Sequence, residues 1–161
     1  MTSSVTISVD SCHVVAFRQN GLSSPGLESF LQLAADVGVP AEFPDDGMID
    51  TEMLAQLARK IGVPSAHQKV KTVLLCGGYL EEQVSLAAQV LLATGYPVYL
   101  LRELIVSKQP EHAHIHDLRL VQAGATPTTV AHLIYEWLAT ETDEDIHNVL
   151  SRSRSLLDAS R

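Results

Sequence analysis

The chain has 161 residues, 46% hydrophobic and 19% charged, which suits one globular domain with a buried core and excludes a largely disordered chain. Eleven Lys and Arg against nineteen Asp and Glu leave a net charge of −8, which argues against nucleic-acid backbones and anionic lipid as partners. No apolar run approaches the ~20 residues of a membrane span, Met1–Asp10 lacks the pattern of a secretory leader, and two cysteines, Cys12 and Cys76, make no disulfide framework, so a reduced, cytoplasmic setting is expected.

In chain order, Val5-Thr6-Ile7-Ser8-Val9 alternates. It is expected as an extra strand or an N-terminal extension over residues 1–12, pairing with a sheet edge or a second subunit. Val14-Val15-Ala16-Phe17 reads as a buried strand. Ser24-Pro25 then opens a helix, with Leu27, Phe30, Leu31, Ala34 and Val37 at helical spacing and Gly38 to stop it. Val39–Phe43 is a second strand, with Pro40 placing it at an edge or a start. Asp50 caps a helix with Met53, Leu54, Leu57, Ala58 and Ile61 on one face and Gly62 at its end. Thr72–Gly77 is the clearest strand, a continuous apolar run of the kind buried on both faces.

The next helix turns Val84, Ala87, Ala88 and Leu91 inward and ends at Gly95. Pro97–Leu101 is a strand, His112–Ala123 a helix closed by Gly124, and Ala125–Pro127 a short strand. Val130, Leu133, Ile134 and Trp137 form a helical stripe, and Asp143 caps a last helix with Ile146, Val149, Leu150 and Leu157 on one face. Strands alternating with helices predict a Rossmann-like three-layer α/β/α fold around a mostly parallel sheet. The whole chain, 1–161, reads as one domain, with 143–161 as an appended C-terminal helix.

The segment Val73-Leu74-Leu75-Cys76-Gly77-Gly78-Tyr79-Leu80-Glu81-Glu82-Gln83-Val84 resembles the strand-loop-helix of the isochorismatase-like cysteine hydrolases, and is most similar to their isochorismatase domain-containing branch. Gly95–Leu101 resembles that family's Gly-aromatic turn and following strand. Leu118–Ala125 resembles its Arg-containing helix with an Ala-Gly-Ala end, and Arg18-Gln19-Asn20-Gly21-Leu22 resembles its Met-Gln-Asn type of motif. The resemblance is good over 72–138, moderate over 14–43 and poor over 44–70.

The resemblance implies a Cys nucleophile, with an Asp and a Lys managing its protons and backbone N–H groups at the helix start holding the developing anion. It also implies a cis peptide in the loop after Gly77. Carried over by position, the nucleophile falls on Gln83 and the Asp on Phe17, and residues 39–49 contain no Lys. All three roles are vacant, so the expectation is a hydrolase-like protein without cysteine-hydrolase activity, a small-ligand binder or an oligomeric scaffold. The alternative is an active isochorismatase-like hydrolase of a small amide with a rearranged site built from Asp10, Cys12 and His13. Cys76, inside a strand, is expected to be inert packing.

Ligands of a doubly wound sheet bind outside the C-terminal strand ends. Those ends should present Phe17, Arg18, Phe43, Gly78, Tyr79, Glu81, Gln83, Arg102 and Glu103. Arg18, Gly78, Tyr79, Glu81 and Gln83 are the candidate ligand-binding residues, for a small polar ligand. Asp45-Asp46 reads as a solvated turn. His112, His114 and His116 alternate, but on a helix only His112 and His116 align, too few ligands for a metal; neither metal nor cofactor is expected. Family members assemble as dimers or higher oligomers, so a homo-oligomer is expected, with the C-terminal helix or Val5–Val9 at the contact.

Overall fold

The computed structural model describes residues 7–18, 25–44, 51–61 and 71–159. Five strands are ordered β2-β1-β3-β4-β5, namely β1 (Cys12–Phe17), β2 (Ala41–Glu42), β3 (Thr72–Gly77), β4 (Val98–Leu101) and β5 (Thr126–Thr128). Every pairing is parallel. The helices are α1 (Pro25–Asp36), α2 (Thr51–Ile61), α3 (Ser85–Ala93), α4 (Ala113–Ala123), α5 (Val130–Thr140) and α6 (Glu144–Ala159).

Strand alternation divides the core into two layers. Cys12, Val14, Ala16, Leu74, Cys76 and Leu101 join α1, α5 and α6 on one face. Val15, Phe17, Val73, Leu75, Val98 and Leu100 join α2, α3 and α4 on the other. β1 and β3 are buried at every position, because helices cover both sides. The three-layer α/β fold is therefore the one the sequence implied, and its sheet is parallel throughout the described residues.

Helix ends follow local chemistry. Thr129 Oγ1 accepts the His132 N–H at 3.1 Å to cap α5. Asp143 Oδ1 accepts from the N–H groups of Asp145 and Ile146 at 2.9 and 3.2 Å, capping α6 as expected. Ser24, Asp50 and Gly62, the other expected helix boundaries, lie outside the described residues.

Several expectations are corrected. No strand forms at Ile7–Val9: Val9–Ser11 is a 3-10 turn, while Ile7 and Val9 are buried in the α1–α5–α6 layer. Both apolar side chains still reach one layer, as alternation expects, but among the described residues no strand pairs with this segment; Val5 and Thr6 lie outside the described residues. β1 starts at Cys12, two residues early. β2 keeps only Ala41 and Glu42, because the Val39 N–H bonds back to Ala34 O at 2.8 Å in the end of α1. Phe43 is left off the sheet and 44% exposed. His112 belongs to a 3-10 turn, Pro110–His112, and α4 starts after it. The C-terminal helix is integral rather than an apolar face awaiting a second subunit. Leu150 is fully buried, and Ile146, Val149 and Leu157 pack on the same core. No helix among the described residues is long and apolar enough to cross a membrane.

Candidate functional site

The order 2-1-3-4-5 reverses direction between β1 and β3, and a ligand crevice opens at the carboxyl ends of such a pair. Phe17 ends β1 and Gly77-Gly78 follow β3 there. Both glycines have positive φ, +71° and +69°. A Cβ on Gly77 would meet Phe17 O at 2.2 Å, and one on Gly78 would meet Phe17 Cβ at 2.9 Å and Gln83 Oε1 at 3.4 Å. Glycine is required by both conformation and contact. No cis peptide occurs among the described residues, so the bend that the resemblance assigns to one is made by two left-handed glycines.

Phe17 is buried at 3% exposure and occupies the crevice with an apolar ring. Gln83 lies in a single π-helical turn, Leu80–Val84, where its Oε1 accepts the Tyr79 N–H at 3.0 Å. Three further amides here are also engaged. Leu80 N–H bonds Val106 O at 2.8 Å, and those of Glu82 and Val84 bond Tyr79 O at 3.2 and 3.3 Å. In a cysteine hydrolase N–H groups at this helix start would hold an anion; here the chain's own carbonyls take those of Leu80, Glu82 and Val84.

The segment after β4 straps this loop down. Val106 pairs with Tyr79 as a parallel bridge, its N–H bonding Gly78 O at 3.1 Å. The Glu81 carboxylate accepts from the Ser107 hydroxyl and from the N–H groups of Lys108 (3.0 Å) and Gln109 (3.4 Å). Burial pushes its pKa up, but these hydrogen bonds outweigh it and hold Glu81 down at about 2. At that value it is a poor general base. The Lys108 ammonium pairs with Glu82 and lies 4.7 Å from the Tyr79 ring centroid. No sequence signal marked Val106, Ser107 or Lys108, because their partners lie more than twenty residues away and the pairing depends on how β4 leaves the sheet.

The other mouth residues have structural partners too. The Arg18 guanidinium lies 4.3 Å from the Phe43 ring centroid and 3.4 Å from Glu28 Oε2. Arg102 Nε donates to Asp117 Oδ1 at 2.8 Å, and Glu103 accepts the Val130 N–H at the start of α5. Gln19–Leu22 and Asp45-Asp46 lie outside the described residues. The expected ligand set is thus split: Gly78, Tyr79, Glu81 and Gln83 share one loop, while Arg18 leans toward Phe43 and α1.

The alternative set is not assembled. Asp10, Cys12 and His13 lie at the opposite, amino end of β1, about 16 Å from Phe17 by strand rise. Cys12 and His13 are consecutive in a strand and face opposite layers, so the imidazole cannot take the thiol's proton. Burial pushes the Cys12 thiol up to about 12. Trp137 is close enough to favour its thiolate slightly, yet the indole N–H makes no hydrogen bond of ordinary geometry. Burial likewise raises Cys76 to about 12. His13 is buried beside Glu42, its Nε2 3.8 Å from the carboxylate and without a hydrogen-bond partner. Asp10 Oδ1 accepts from Ser8 Oγ at 2.5 Å. Among the described residues no group of three or more His, Cys, Asp or Glu could hold a metal ion. His112, His114 and His116 sit at the exposed start of α4 and the turn before it.

The fold around this β1–β3 crevice is shared with two solved structures of isochorismatase-like proteins. A ribonuclease named MAR1 from Caenorhabditis elegans superposes with a TM-score of 0.65 at 17% identity, covering 90% of each chain. YcaC from Pseudomonas aeruginosa, a structure with hexane-2,5-diol and covalent acrylamide, gives a TM-score of 0.70 at 14% identity, covering 99% of this chain and 98% of its own. At such identities the likeness is one of fold. No family model matches the sequence, and no curated protein matches it.

Proposed function

We propose that this chain is an isochorismatase-like protein without cysteine-hydrolase activity, serving as a small-ligand binder or an oligomeric scaffold. The observation that carries the reading is the joint state of Phe17 and Gln83. An apolar ring and a carboxamide stand where the resemblance requires an acid and a thiol, and Gln83 also consumes the Tyr79 N–H. Removing a nucleophile from such a unit costs on the order of 10⁶ in kcat. The binder reading takes a small polar ligand, bound without chemistry, at Arg18 on one side of this edge or at Gly78, Tyr79, Glu81 and Gln83 on the other. The ribonuclease activity named for one structural neighbour is not carried over, because a net charge of −8 opposes a phosphate backbone.

Self-association is part of the proposal, although its support has moved. With the inner face of α6 buried in its own core, the exposed apolar residues of α4 (Ile115, Leu118 and Val121) are the features that favour a partner. Light scattering at micromolar concentration should give a mass above the monomer, and a monomeric mass removes the scaffold half of the reading.

The decisive experiment is turnover with thiol chemistry in parallel. Purified protein should leave isochorismate, nicotinamide and simple carbamoyl amides unhydrolysed, and both thiols should react slowly with an alkylating probe in the folded state. Gln83→Cys alone should not create turnover, since Phe17 still fills the acid's place. Turnover that survives Gln83→Ala and disappears with Cys12→Ser would overturn the proposal in favour of the Asp10–Cys12–His13 alternative.

A further inference from the structure

The corner between the end of β2 and α2 differs from the closed crevice beside it. A cleft of about 180 Å³ lies there, with Phe43, Met53 and Leu57 as an apolar floor and Glu42 and Lys60 on its rim. Phe43 leaves 44% of its surface exposed, although the two cores of the fold take in most other large apolar side chains. The rim charges are held apart: Lys60 Nζ lies 4.0 Å from Glu42 Oε2, and His13 Nε2 lies 3.8 Å from Glu42 Oε1. Neither separation is a hydrogen bond. Behind the rim, His13 is buried with its Nε2 unpartnered.

We propose that this cleft binds a small apolar α-amino acid as its zwitterion. The chemistry follows from the rim. A monocarboxylate taking Lys60 would strip Glu42 of its nearest ammonium, and an amine taking Glu42 would do the reverse to Lys60. A zwitterion gives each a partner: its carboxylate goes to the Lys60 ammonium and its ammonium to the Glu42 carboxylate. Its side chain then covers Phe43, Met53 and Leu57, removing exposed apolar surface from water. Phe43 also carries Arg18 on its ring, but Phe17, Gly78, Tyr79, Glu81 and Gln83 do not line the cleft, so its ligand does not depend on the chemistry of the β1–β3 crevice.

The test uses the intact wild-type protein with ¹³C-methyl methionine. Met53 is one of three methionines and its side chain lines the cleft. L-Leucine is titrated, with N-acetyl-leucine lacking the ammonium and leucinamide lacking the carboxylate. Leucine should move the Met53 methyl resonance saturably with a Kd of roughly millimolar order, as fits a ligand of so few atoms. Each single-charge analogue should bind at least about fivefold more weakly. Lys60→Gln, at an exposed position where folding is not at stake, should weaken leucine by a similar factor, and Lys60→Arg should restore most of it. Absence of a saturable shift overturns the site. Equal binding of either analogue, or no response to Lys60→Gln, overturns the zwitterion as its ligand.

Discussion

The β1–β3 end of the sheet and the β2–α2 corner lie side by side and treat their polar groups in opposite ways. At β1–β3, the side chains of Gln83 and Glu81 and the amides of Tyr79, Leu80, Glu82 and Val84 are bonded within the loop or to the strap after β4, and Phe17 fills what remains. At β2–α2, Glu42, Lys60 and His13 approach without joining, and a phenylalanine stays half in water. A fold can thus close the crevice its topology provides and leave open a neighbouring one that topology does not single out. The difference has an energetic basis. A satisfied polar network rigidifies its loop, whereas unmade bonds remain available to a ligand.

The largest expected effect comes from breaking the closed side. Gly77→Ala adds a Cβ 2.2 Å from the Phe17 carbonyl oxygen at φ +71°, and that neighbour is backbone which cannot swing aside. The loss should exceed about 4 kcal/mol, enough to unfold a chain of ordinary stability. Failure to recover folded protein, or a urea midpoint shifted by that amount, is the expected result. A loss below about 1 kcal/mol would mean that the β1–β3 junction is slack and the crevice can open.

Next comes the sheet beneath both regions. Leu74 is fully buried in β3, between β1 and β4. Leu74→Ala should cost about 2–5 kcal/mol through lost transfer energy and the cavity left behind. The change acts on the layer of α1, α5 and α6, opposite the one shared by Phe17 and Leu57. It should therefore lower global stability without favouring either edge in hydrogen exchange, and selective opening of one edge would show that the two layers are not independent.

This strand and its neighbours were legible in the sequence because burial writes itself locally. An apolar run such as Val73–Cys76, or a stripe such as Val130, Leu133, Ile134 and Trp137, records which faces are covered. The resemblance singled out Phe17 and Gln83, and the fold brings both beside Gly78. How the groups around them are bonded was not legible. That Gln83 turns back on Tyr79, or that Ser107 ties down Glu81, depends on side-chain rotamers and on contacts between distant segments. At Ile7–Val9 the expected strand failed for a related reason: alternation shows that some residues seek an apolar layer, but it does not separate a strand from a segment leading into a 3-10 turn when the layer lies alongside. The cleft at Phe43 went unseen because the run Val39–Phe43 looked like sheet, and only the early end of β2 frees the ring.

The smallest expected effect concerns the open side and its pH dependence. Burial lowers the His13 pKa below its ordinary 6.5, with Glu42 pulling weakly the other way and Lys71 adding to the lowering. Above about pH 6.5 the folded and unfolded chains both carry this imidazole neutral, and its contribution to stability is constant. As pH falls below that value the unfolded state takes up a proton that the folded state resists, so stability declines until the lower folded pKa is reached. The slope in that window is at most about 1.4 kcal/mol per pH unit from this one group. Urea unfolding at pH 7.5 and pH 5.5 should therefore show a loss in wild type that shrinks in His13→Leu, which keeps the buried volume but has no proton to gain. An unchanged difference between the two pH values would mean that the fold does not shift the His13 pKa, and a loss that grows in His13→Leu would mean that His13 is protonated in the fold and paired with Glu42. In that case Glu42 would not be free to take a ligand's ammonium, and the contrast between the two edges would narrow to the cleft's apolar floor.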